Sequence, residues 1–154
     1  MRIYTAQFTG VAVTAQQDLL SIVAGAACGV KLLRFGISQS TEVGDAAEEG
    51  LSIVFKSGAT VAGSGGSAPA MVPTDFGDAA ATATVRANDT TPAGTGTIVT
   101  HNAWNWNIRV PFEHIWLPED RPVLRVSRRA CIGLLTTPAD SITISGFIEF
   151  AEEG

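Results

Sequence analysis

Charge is what this sequence has least of. Only 16% of its 154 residues are Asp, Glu, Lys or Arg, against about 25% in an ordinary soluble domain. The 10 Lys and Arg are outnumbered by 15 Asp and Glu, for a formal net charge of −5. Phosphate backbones are held by clustered cations, so this balance argues against nucleic acid as a partner. The one basic cluster, Arg121, Arg125, Arg128 and Arg129, lies next to Glu119 and Asp120. It reads as a solvated or ion-paired strand edge, with Arg125 and Arg129 on one parity.

Histidine and cysteine are nearly as scarce. A hydrolase triad needs a base, most often histidine, and only His101 and His114 are present, with no Gly-x-Ser-x-Gly elbow. Metal ligands on one strand face need i, i+2 spacing. His114 has only Glu113, Glu119 and Asp120 nearby, so no metal site is expected. Cys28 and Cys131 are far apart and lack a CxxC partner, as expected for buried free thiols in a chain made in a reducing cytoplasm. The glycine-rich residues 58–67 lack the Gly-Lys-Ser/Thr ending of a phosphate loop, because Ser67 leads into Ala68-Pro69. The expectation is a non-enzyme without cofactor.

Long apolar runs are missing too. The longest, residues 19–30, is broken by Ser21 and falls short of the roughly 20 residues that span a bilayer. Met-Arg-Ile-Tyr-Thr-Ala-Gln-Phe has no apolar signal core and reads as a strand beginning at residue 2. No membrane association is expected.

What the sequence does have is period-two alternation. Trp104, Trp106, Ile108, Val110 and Phe112 share one parity, and Asn105, Asn107, Arg109, Pro111 and Glu113 the other. Such alternation puts five apolar groups on one sheet face and polar groups on the other. Two tryptophans beside Ile, Val and Phe read as core, not as a sugar-stacking platform. Ile115 and Leu117 are odd-numbered, which suggests a bulge or corner near Glu113-His114.

Further short strands are read at residues 2–9, 11–14, 18–24, 30–38, 51–55 and 82–86, at Leu124 with Val126, and at Ile142, Ile144, Ile148 and Phe150. A short helical turn capped by Ser40 or Thr41, carrying Glu42, Asp45, Glu48 and Glu49, is expected between residues 39 and 50. Eight or more short strands predict a single all-β domain over residues 1–154, a two-sheet antiparallel sandwich. A jelly roll is the first choice of topology. An immunoglobulin-like sandwich is second, because Cys28 and Cys131 are too widely spaced for its disulfide. Two long stretches rich in Gly, Ala, Ser, Thr and Pro, residues 57–80 and 88–96, stand out as candidate contact loops.

Several pieces together resemble small jelly-roll proteins encoded beside the capsid genes of tailed bacteriophages. They are Thr41-Glu42-Val43-Gly44-Asp45-Ala46-Ala47-Glu48-Glu49-Gly50, Ala87-Asn88-Asp89-Thr90-Thr91, Trp106-Asn107-Ile108-Arg109-Val110-Pro111-Phe112-Glu113, Pro118-Glu119-Asp120-Arg121, and the closing stretch that starts at Leu134 and runs on through Ala139-Asp140-Ser141-Ile142-Thr143-Ile144-Ser145-Gly146-Phe147-Ile148-Glu149-Phe150-Ala151-Glu152-Glu153. The resemblance implies a capsid decoration, or cement, protein on the virion exterior, made in the host bacterial cytoplasm. Its implied partners are the major capsid protein and itself, as a homo-oligomer, a trimer before a dimer. It transfers no residue as a binding site.

Contacts are instead expected at the start of the chain, Met1, Arg2 and Tyr4, at the loop tip Gly63, Ser64, Gly65 and Gly66, and on the polar parity Asn105, Asn107 and Arg109. The alternative function is a receptor- or glycan-binding sandwich module of a phage fibre or tail, which requires an exposed aromatic groove.

Overall fold

The computed structural model describes residues 1–42 and 49–153. Among the described residues eleven strands run in order: β1 (Arg2–Val13), β2 (Gln17–Val23), β3 (Gly29–Gln39), β4 (Gly50–Ser57), β5 (Met71–Pro73), β6 (Thr84–Asp89), β7 (Val99–Asn107), β8 (Phe112–Ile115), β9 (Val123–Leu124), β10 (Arg129–Leu134) and β11 (Ile142–Glu153). The expected helical turn falls largely on residues 43–48, outside the described residues.

The strands form two antiparallel sheets. One has the order β5-β1-β11-β3-β8, with β9 also on β3, and the other β6-β2-β10-β4-β7. Setting aside the outermost β5 and β6 and the two-residue β9, the chain changes sheets at every connection except β4 to β7, which pair as neighbours in one sheet. Such a chain, with β1-β11-β3-β8 facing β2-β10-β4-β7, is a jelly roll. The all-β sandwich read from the sequence is therefore the fold.

Alternation explains how the layers meet. Ile142, Ile144, Ile148 and Phe150 of β11 point inward against Tyr4 and Ala6 of β1 and Leu32, Phe35 and Ile37 of β3. Leu51, Ile53 and Phe55 of β4, with Ile132 and Leu134 of β10, close the core from the other sheet.

The long alternating stretch is not one strand. β7 ends at Asn107, residues 108–110 turn, and β8 begins at Phe112 on the opposite sheet. Val110 is exposed in that turn, and its carbonyl accepts a hydrogen bond from Trp106 Nε1 at 2.7 Å. The corner thus precedes the expected position at Glu113-His114, and parity does not switch there. His114 is half-buried and Trp116 buried, while Ile115 and Leu117 are exposed. Likewise Val126 lies in a turn after the two-residue β9, and Arg125 belongs to that turn while Arg129 opens β10, so the arginine cluster is not one strand face.

The two small-residue stretches also differ from free loops. Backbone bonds join Thr60 to Thr95, Val61 to Gly94, Ser64 to Thr91 and Ser67 to Ala87, making a ladder. It begins alongside β6 and reaches the outer face of the five-stranded sheet, where Ala59 and Ala93 bury Cys131. Beneath it Lys56 Nζ meets Asp18 Oδ1 at 2.8 Å, and Asp18 Oδ2 accepts the Ala93 N–H at 2.7 Å. Glycine is required where this ladder closes. Gly65 has φ +87°, and a Cβ on Gly66 would collide with the Ala87 carbonyl.

Candidate functional site

β7 and β8 end their respective sheets, and a cleft of about 760 Å³ opens beside them. Phe55 and Trp116 form its floor, edge to face at 5.3 Å between ring centroids. Both histidines of the chain line it.

A bulge places the first of them. Phe55 pairs with Asn102 and Lys56 with Thr100, so His101 is the extra residue on β7. The bulge re-aims its side chain, which lies over the Phe55 ring at 5.3 Å. His101 Nε2 is 2.7 Å from Ser57 Oγ. Among the described residues no carboxylate hydrogen-bonds His101, so the pair lacks the orienting acid of a hydrolase triad.

Inward parity on β8 places the second. The His114 ring is 4.7 Å from that of Trp104 and 5.0 Å from Trp116. Burial among these rings lowers its pKa, which keeps the imidazole neutral near pH 7. Asn102 and Asp120 add polar groups at the mouth of the cleft, and Ile115, Leu117 and Val123 form a rim exposed by 61%, 63% and 56%. Among the described residues no group of three or more His, Cys, Asp or Glu could hold a metal ion. What this arrangement offers a ligand is a neutral aromatic floor, a few hydrogen-bonding groups and an apolar lip.

The residues expected from the sequence to touch a partner do not converge. Met1 is exposed and Arg2 half-buried on the flank formed by β1 and β5, where Met1 shares a shallow depression with Phe76, itself 91% exposed. Tyr4 must be withdrawn from the contact residues. It is wholly buried, stacks on Phe150 at 5.6 Å and donates its hydroxyl to the Ala79 carbonyl at 2.8 Å. Gly63, Ser64, Gly65 and Gly66 belong to the ladder by β6. Asn105 and Asn107 are exposed on β7, the opposite end of that sheet, with Arg109 in the turn that follows. Four strand spacings of about 4.8 Å separate β6 from β7, or roughly 19 Å.

Sequence reasoning missed the cleft itself. Its signal was present in His114 and Trp116, which continue the parity of Trp104 and Trp106. The bulge that turns His101 toward the cleft leaves no such mark, because alternation in sequence cannot show an inserted residue.

Together the fold and this flank define a jelly-roll domain with an aromatic cleft between its terminal strands. No protein-family model, no curated protein and no solved structure matches the chain.

Proposed function

We propose that this chain is a structural virion protein that binds the outer surface of a bacteriophage capsid and clamps neighbouring major capsid subunits. The observation that carries the reading is a convergence. Two of the pieces that resemble phage decoration proteins border the same flank: residues 106–113 make the crossover from β7 to β8, and residues 118–121 link the rim residues Leu117 and Val123. Exposed apolar side chains grouped on one flank of a chain only 16% charged suit a protein partner. A cement protein strengthens a shell because its binding energy is gained only when adjacent subunits are correctly placed, and many identical contacts then add. Virion location and homo-oligomeric assembly belong to the same proposal.

Co-sedimentation with assembled capsids of the phage that encodes the chain tests it. A fixed ratio to the shell protein is expected, with Ile115→Asp and Leu117→Asp weakening binding at least tenfold. Absence of wild-type binding overturns the proposal, and unchanged binding by both variants overturns the assignment of this rim.

The cleft favours a second reading, a receptor- or glycan-binding module. Asn102, Asp120, Ser57 and His101 supply hydrogen-bonding groups beside an aromatic floor. Oligosaccharides that quench tryptophan fluorescence in the wild type but not in Asn102→Ala would support it. No binding at millimolar concentration removes it.

A further inference from the structure

Sheet edges carry unpaired N–H and C=O groups, and proteins guard them with short strands, Pro, charge or a covering segment. Three edges here are guarded. β5 has three residues and ends in Pro73; β8 has four, preceded by Pro111 and carrying Glu113 in an ion pair with Arg34 at 3.1 Å; β6 is covered by Ser67 and the ladder. β7 is different. It runs nine residues, and no Asp, Glu, Lys, Arg or Pro occurs from Ala93 to Ile108.

The phase of its hydrogen bonds is fixed by its neighbours. Ile108 N–H donates to the Glu49 carbonyl, which makes residues 49 and 108 a bonded pair. Ser52 turns both its groups away from β7, its N–H to Thr136 Oγ1 and its carbonyl to the Leu135 N–H. Bonded and non-bonded pairs alternate in an antiparallel ladder. Asn105, opposite Ser52, and Ala103, opposite Val54, therefore aim their N–H and C=O groups outward from the sheet. Both residues are exposed.

We infer that residues 102–107 of β7 are a pairing edge that takes β7 of a second copy of this chain, antiparallel across a twofold axis, joining two five-stranded sheets into one of ten strands. An identical antiparallel strand offers an acceptor for each outward donor and a donor for each acceptor. Copies carrying −5 each repel, so they approach most easily where formal charge is absent, and β7 is that place. With Asn105 of the two copies facing each other, the exposed Ile98 and Val99 of one copy come toward the exposed Val110 of the other. Twofold pairing makes a dimer, where the resemblance put a trimer before a dimer, and it does not depend on the capsid reading.

The test is the solution mass of the full chain by light scattering at tens of micromolar, for the wild type, Asn105→Pro and Ala103→Lys. Proline at 105 removes an N–H that points away from β4, so the β4–β7 ladder keeps its bonds. Lysine at 103 puts a charged side chain on the edge opposite Asn107 of the second copy, the device by which sheet edges are kept from pairing. The wild type is expected at twice the 16.0 kDa chain mass, and both variants at the monomer mass with unchanged circular dichroism. A monomeric or trimeric wild type overturns the inference, as does a dimer that persists in both folded variants. Capture of an unrelated extended peptide by a monomeric wild type overturns self-pairing in favour of a foreign strand. Monomeric variants that still co-sediment with capsids would leave the proposed function standing, so the two ideas fail separately.

Discussion

Trp106 Nε1 donates to the carbonyl oxygen of Val110 at 2.7 Å, tying the end of β7 to the turn that carries the chain to the other sheet. The indole is 2% exposed, so it fills core and secures the crossover together. Trp106→Ala is expected to cost about 3–5 kcal/mol. Trp104→Ala is expected to cost less, since that ring is only half-buried. Urea unfolding of the two variants checks this, and equal losses would refute the distinction.

Lys56 and Asp18 form an ion pair whose side chains are 13% and 1% exposed. Removing one partner leaves the other charge in a dry site. Lys56→Met is therefore expected to destabilise the fold by about 3–5 kcal/mol. Paired replacement with Asp18→Asn is expected to recover part of the loss, measured as a double-mutant cycle.

The ladder makes the glycine tip structural. Gly66→Ala is expected to cost about 1–3 kcal/mol, because its methyl group would displace the Ala87 carbonyl. Deletion of residues 63–67 is expected to lower the melting temperature, whereas a free loop would be lost without that effect.

Burial, chiefly, pushes the Cys131 thiol up to about 12. Thiolate is the reactive form, so Cys131 is expected to resist a disulfide reagent at pH 8 in the native protein and to react once denaturant opens the ladder. Fast native labelling at Cys131, located by peptide mapping, would contradict the packing of Ala59 and Ala93 over it.

His114 has its pKa lowered from 6.5 by burial. As pH falls through 6.5 the unfolded chain takes up this proton first, so stability is full above that value and declines as pH falls toward the lower native one. Phenylalanine in place of His114 is expected to flatten this decline between pH 7 and 5. Parallel stability curves for the two proteins would show that His114 contributes nothing to it.

Period-two patterns made the sandwich legible in sequence, because inward residues such as Ile142, Ile144, Ile148 and Phe150 must alternate in any half-buried strand. The same regularity concealed the crossover. Ile108 and Phe112 keep the parity of Trp104 across a turn, since both strands face one shared core from opposite sides. The long loops were legible as glycine-rich but not as partners of each other, because Val61 to Gly94 and Ser64 to Thr91 are backbone pairings that leave no side-chain signature. Of the cleft, the apolar floor could be read, and the bulge at His101 could not.

β11 lies between β1 and β3, pairing with both along most of its length. It is also made well after both of them, since β3 ends at Gln39 and β11 begins only at Ile142. Until it emerges from the ribosome, β1 and β3 each wait with an open side and the core lacks Ile144, Ile148 and Phe150. Folding is therefore gated by translation: the nascent chain must be kept from sticking to its neighbours until one late strand closes the six-stranded sheet.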